Sequence, residues 1–286
     1  MASLKEFYSL TKPGIIRGNA LSATAGFLLA ARGHVNLVLM AATIGGLSLV
    51  IASAGVLNNY IDRSLDRKMT RTKKRALAQG SISGRSALIY AGWLGIAGEV
   101  ILAAFANGLT AGLALFGLVM YVVVYGFWKR RSTLGTIIGS LSGAVPPVVG
   151  YCAVTNRLDG AAGLLFLILV FWQMPHFFAI ALYRVKDYAS AGLPVLPVAK
   201  GVQTTKRQIV AYTIAFTVVS ALPSVFGYTG RVYLAVALLL GLSWTILSLR
   251  GFSAPDDSRW ARQMFSFSLL AMTVLCLVMS VDHFLP

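Results

Sequence analysis

Apolar stretches of membrane-crossing length recur along nearly the whole chain, and this limits the fold more than any motif does. A bilayer core gives backbone groups no water to bond, so a run of about 20 apolar residues must satisfy its own hydrogen bonds as a helix. Windows of that length place spans near 14–31, 36–57, 86–106, 109–128, 134–154, 161–182, 208–227, 231–249 and 264–284. The expected fold class is therefore all-α, a polytopic membrane protein whose nine transmembrane helices enclose a central chamber. With 57% hydrophobic and only 12% charged residues, the composition excludes an ordinary soluble domain. Residues 1–286 read as a single domain. Two long polar loops four spans apart hint at a pseudo-repeat, 14–128 and 134–249, followed by the ninth helix at 264–284.

Lysine and arginine concentrate in cytoplasmic loops of membrane proteins. Placing the N-terminus inside puts 22 of the 25 basic residues on the cytoplasmic side and leaves Arg32, Arg157 and Arg231 outside. The formal net charge of +16 is then a topological signal. It also attracts the anionic surface of a lipid bilayer and phosphate-bearing substrates, so no nucleic acid partner is needed to explain it. Pro13, Gly14 and Arg17 interrupt the first apolar segment, so no cleaved secretory signal is expected there. A bacterial inner membrane, crossed many times, is the expected location. Cys152 and Cys276 both fall inside spans without metal-ligand spacing and read as packing residues.

Asn58, Asp62 and Asp66 stand four apart at the end of the second span, followed at once by Arg67, Lys68, Arg71, Lys73, Lys74 and Arg75. Four residues turn a helix by about 400°, so the three side chains stay within a roughly 80° arc and climb about 6 Å per step. Mg²⁺ takes hard oxygen ligands and is usually bound through one or two carboxylates together with substrate phosphates. The stripe supplies the carboxylates and the flanking cations suit phosphate oxygens. The same acids also read as helix-end groups paired with neighbouring Arg and Lys. The second long polar loop, 183–207, carries Asp187, one of only nine acids in the chain, with Lys186 before it and Lys200 beyond. If the two loops face each other, Asp62 and Asp66 hold one metal, and Asp187 a second or part of a shared site. Metals and cations there would stabilise a leaving diphosphate, while apolar helices shield a carbocation from water.

Other polar residues within the spans are open to two readings. His176, just after Pro175, reads either as a functional polar group facing a chamber or as a hydrogen-bonded interhelical histidine, and Met174 as a soft ligand or as filler. Glu99 lies inside the third span and needs a partner or a proton. Arg17 and Asn19 reach either an anionic group or the lipid headgroups. Tyr121, Tyr125 and Trp128 read as interfacial anchors, and Lys129, Arg130 and Arg131 as topological charge. Pro146 and Pro147 interrupt the fifth span, which suggests a cavity wall.

The run from Asn58 through Asp62 and Asp66 to Met69, with Arg71 and Arg75 beyond, resembles the first aspartate-rich motif of the intramembrane prenyltransferases of the UbiA superfamily. The run from Trp172 to Ala179, with Tyr183 to Tyr188 and Pro194 to Pro197, is similar to the haem-farnesylating branch of that superfamily. The resemblance covers nearly the whole chain. It implies transfer of the farnesyl group of farnesyl diphosphate to a vinyl group of haem B, with water added, giving haem O and diphosphate. Mg²⁺ is the implied cofactor, held by Asn58, Asp62, Asp66 and Asp187, with Asp62, Asp66 and Asp187 as the catalytic acids. Arg67, Lys68, Arg71, Arg75, Lys186 and Lys200 are the implied diphosphate contacts, His176 and Met174 the implied haem-binding candidates, and a haem A synthase is the candidate partner. Many superfamily members carry further aspartates in the second motif, whereas here Tyr183 and Ala191 flank Asp187 at four residues on either side. A prenyltransferase for an aromatic quinone precursor, or a membrane transporter, are the alternatives.

Overall fold

The computed structural model describes residues 3–282, so His283 and the close of the ninth expected span lie outside the described residues. Among them no strand occurs. After a short helix, Leu4–Leu10, closed by a Ser3–Glu6 capping box, the chain forms nine long helices. These are α1 (Pro13–Ala31), α2 (Leu37–Asp66), α3 (Gly84–Phe105), α4 (Gly108–Trp128), α5 (Gly135–Thr155), α6 (Gly160–Tyr183), α7 (Leu196–Val225), α8 (Arg231–Leu249) and α9 (Asp257–Val281). Among the described residues eight of them, α2 to α9, are long and apolar enough to cross a membrane. The expected nine spans are thus corrected to eight by length and composition. Arg17 and Asn19 make the start of α1 polar, and α1 is a helix packed against α2, α5 and α9.

Pro13 opens α1, a position where its fixed φ and missing N–H cost nothing. Lys12 before it is in left-handed backbone, φ 56° and ψ 65°, uncommon for a side-chain-bearing residue. Helices α1 and α5 cross at backbone contact: a Cβ on Gly150 would stand 1.9 Å from the Ala23 carbonyl oxygen. Small residues permit such close approach where no hydrophobic force separates helix from lipid. As the sequence predicts, α5 is interrupted, changing at Ala144 from Gly135–Gly143 to Val145–Thr155. Pro175 sits inside α6 without ending it. The 183–207 loop is more ordered than its composition suggests. It holds the helix Val185–Ser190 and the first turns of α7, which bends at Gly201 with φ 80°.

Four apolar clusters follow among the described residues, two of which frame the bundle. The larger joins α6 to α9 through Trp244, Phe216, Tyr233, Met264 and Leu275; the other packs Leu47, Val50, Leu102 and Val149 between α2, α3 and α5. At 30 residues α2 is about 45 Å long, some 15 Å more than a hydrocarbon core. Its surplus turns carry Asn58, Asp62 and Asp66 to the membrane's rim.

Candidate active site

The three residues of the α2 stripe are each engaged by cations from other parts of the chain. Lys12 Nζ donates to Asn58 Oδ1 at 2.5 Å. Lys129 Nζ and Arg130 Nη2 donate to the two oxygens of Asp62 at 2.5 and 2.9 Å. Arg75 Nη1 donates to both oxygens of the buried Asp66, at 3.1 and 2.9 Å, and to Asn59 Oδ1 at 3.1 Å. The Thr72 hydroxyl donates to the Asp66 carbonyl at 3.1 Å and folds the following loop back over the helix end. The pairing of acids with Arg and Lys that the sequence left open is present, but its cations arrive from the α1 start, the loop after α2 and the α4 end.

Positive charge is crowded here. The Lys12 ammonium is pushed down to about 7, first by burial and then by Arg75 and Lys129, with Asp62 and Asp66 pulling the other way. Burial also lowers Lys129, against the pull of Asp62. Cations that depress one another's protonation in a buried cluster favour an anionic guest.

Two expectations about α4 are corrected. Lys129 and Arg130 are ion-pair partners of Asp62 rather than topological charge alone. Tyr121 and Tyr125 face the same cluster rather than the lipid interface. Their rings stack at 5.4 Å and 20°, Lys12 Nζ lies 5.9 Å from the Tyr121 ring and Lys129 Nζ 5.1 Å from the Tyr125 ring. The helix winds as a π-turn over Met120–Tyr125, a feature frequent at functional sites.

Of the cations expected on a diphosphate, Arg75 is central to the cluster, whereas Arg67 Nε is committed to the Ala78 carbonyl at 2.8 Å. Lys68, Lys186 and Lys200 are exposed. Arg71, in the loop after α2, feels the charge of Arg184 and Tyr188 in the second polar loop. Its protonation is lowered by burial and by Arg75 and Arg184, with Tyr188 acting against them. Burial raises the Tyr188 phenol, and Arg71 and Arg184 pull it down. Asp187 lies in the Val185–Ser190 helix and its carboxylate has no hydrogen-bond or ion-pair partner among the described residues. No group of three His, Cys, Asp or Glu side chains converges as a metal site among the described residues. Asp62, Asp66 and Asp187 therefore do not meet in this arrangement, because the first two are held by their own cations.

His176 is buried on α6 against α9. Ser268 Oγ gives its only proton to the Phe265 carbonyl at 2.5 Å and so accepts from His176 Nδ1–H at 2.7 Å. That hydrogen bond sets the tautomer and leaves the lone pair on Nε2. The ring stacks on Trp172 at 4.7 Å and meets Phe265 at 5.0 Å. Met174 is only 1% exposed and packs in the apolar core. Glu99 Oε1 is buried without a hydrogen-bond partner among the described residues. A concavity of about 730 Å³ lies between α2 and α3 at the end away from the acids and is lined by Leu37, Ala41, Gly45 and Phe105 among others. It offers a phosphate no donor, and we assign it no part in the chemistry.

A helical bundle with an acid–cation cluster at one rim defines an intramembrane enzyme built to handle a diphosphate beside lipid. The model of the UbiA prenyltransferase family matches residues 19–270, and the chain belongs to that family. It is 52% identical over 281 residues to Protoheme IX farnesyltransferase 2 of Pseudomonas putida (strain GB-1), covering 98% of this chain and 95% of that one. It is 50% identical over 283 residues to the Protoheme IX farnesyltransferase of Klebsiella pneumoniae, covering 99% and 96%. Among solved structures it resembles a digeranylgeranylglyceryl phosphate synthase with a TM-score of 0.80 at 18% identity, covering 98% of both chains. A UbiA homologue of Archaeoglobus fulgidus bound to DMAPP and Mg²⁺ superposes with a TM-score of 0.68 at 15% identity, over 94% of this chain and 99% of that one.

Proposed function

We propose that this chain transfers the farnesyl group of farnesyl diphosphate to a vinyl group of haem B, with addition of water, to give haem O and diphosphate. The observation that carries the reading is the cluster of Asn58, Asp62 and Asp66 with Lys12, Arg75, Lys129 and Arg130 at the end of an over-long apolar helix. Its chain-wide identity of about half to two protoheme farnesyltransferases supplies the acceptor. In the reaction the allylic C1–O bond breaks and C1 bonds to the terminal vinyl carbon. Water adds its oxygen to the other vinyl carbon, and its remaining proton is released.

Mg²⁺ fits the donor set. Two carboxylates and an amide oxygen share one helix face, a third carboxylate, Asp187, has no partner among the described residues, and all are hard oxygen ligands. When bound, the metal would neutralise charge developing on the departing diphosphate. Asp62, Asp66 and Asn58 would hold it and Asp187 would complete a second position. Lys12, released from Asn58, and Arg75, Lys129 and Arg130, released from the acids, would bind phosphate oxygens through charge-assisted hydrogen bonds. Tyr121 and Tyr125 would cover the reacting end of the prenyl chain and exclude water, and His176 would present Nε2 to the haem. The cluster faces the cytoplasm of a bacterial inner membrane, and a haem A synthase takes over the product.

The test is incubation of the detergent-solubilised protein with haem B, farnesyl diphosphate and Mg²⁺, with haems resolved by mass spectrometry. A farnesyl-plus-water adduct that disappears on chelation and in Asp66→Asn supports the whole reading. An unmodified haem beside a prenylated aromatic acceptor would keep the reaction type and overturn the acceptor; transfer unaffected by chelation would overturn the metal.

A further inference from the structure

A ladder of aromatic rings runs along the seam between α6 and α9 and ends in two guanidinium groups. Trp172 stacks on His176 at 4.7 Å and His176 meets Phe265 at 5.0 Å. Phe265 then meets Tyr183 edge-on at 5.9 Å. The Arg184 and Arg262 guanidinium carbons lie over the Tyr183 ring at 5.2 and 5.7 Å from its centroid. On α6 the rings recur at helical spacing, and on α9 Arg262, Phe265 and Ser268 fall three apart along one stripe. Neither arginine has a carboxylate partner among the described residues, although two nearby acids are present: Asp257 pairs with Lys206, and Asp187 stays apart. Two like charges drawn to one ring without a counter-ion leave a site for a ligand with paired anionic groups.

We propose that Arg184 and Arg262, over Tyr183, form the clamp that recognises the two propionate carboxylates of a haem lying along this seam. The inference rests on the haem-farnesylating reading above and deepens it, since nothing in the diphosphate cluster selects the acceptor. Arginine suits the task because its planar fork matches a carboxylate bidentately. Propionates and vinyl groups occupy opposite edges of the porphyrin, so holding the carboxylates at this rim turns a vinyl edge towards the apolar interior.

The test measures haem binding to the full-length protein in detergent by difference absorption, without farnesyl diphosphate, using haem B and its dimethyl ester. The native chain is expected to bind haem B at least about tenfold more tightly than the ester, as two charge-assisted pairs would give. In Arg184→Gln/Arg262→Gln that preference is expected to vanish, with the KM for farnesyl diphosphate unchanged. Arg184→Lys/Arg262→Lys is expected to restore part of it, which a loss of packing would not. If the native chain binds haem and ester alike, or the double glutamine variant keeps the preference, the clamp is overturned while haem remains the acceptor. If the native chain neither binds nor farnesylates haem B, the reading beneath it falls, and the clamp with it.

Discussion

Asp66 and Lys12 mark opposite charges of one cluster, and their removal separates two roles. Asp66 is buried and accepts from Arg75 through both of its oxygens. Replacing it with Asn preserves shape but leaves a ligand too weak for a divalent cation beside a leaving diphosphate. We expect kcat to fall by about 10²–10³ on the scale of losing one electrostatic element of a transition state. Arg75 retains Asn59 as an acceptor, so the thermal midpoint in detergent should stay close to native. A fall below tenfold would exclude Asp66 from the metal. Lys12→Met keeps the length and removes the charge. Its partner Asn58 is neutral, so the lost group is a phosphate donor, worth about 1.5–3 kcal/mol as a charged hydrogen bond. The KM for farnesyl diphosphate should rise about 10–100-fold while that for haem B holds; an equal rise in both would mean a disturbed fold instead.

Helices were legible because an apolar run in a bilayer has one way to satisfy its backbone, so the positions of nearly all expected spans agree with the structure. The acid stripe was legible too, since four-residue spacing fixes a common face whatever the surroundings. Its partners were not. Lys12 and Lys129 lie 46 and 67 residues from the groups they bind, and only packing brings them there. The π-turn at Met120–Tyr125 leaves no composition signal, so Tyr121 and Tyr125 read as ordinary interfacial aromatics. The crossing of α1 and α5 is likewise a matter of contact. Gly150→Val would drive a branched side chain into the Ala23 carbonyl, against which neither backbone can retreat. We expect a loss of about 3 kcal/mol or more, seen as poor recovery of monodisperse protein. Gly163→Ala in α6 has open space around its new methyl and should be neutral or slightly stabilising. Equal behaviour of the two variants would sink the close-crossing account.

Across the whole molecule the basic residues sort to one side, and the acid–cation cluster lies on that same side. Orientation and chemistry are therefore one question: a cytoplasmic cluster meets a charged prenyl diphosphate where cytosolic synthesis would deliver it, whereas the opposite orientation would require the diphosphate to cross the bilayer. The two native cysteines are buried, so each introduced thiol can be read alone. Lys74 in the loop after α2 and Arg157 between α5 and α6 are both exposed and on opposite expected sides. In intact cells a membrane-impermeant maleimide should label Arg157→Cys and spare Lys74→Cys, with the pattern reversed in inside-out vesicles. Labelling of Lys74→Cys from outside would invert the topology and place the diphosphate cluster on the outer face. The basic loops would then have been retained for phosphate binding alone, against the general bias that holds such loops in the cytoplasm.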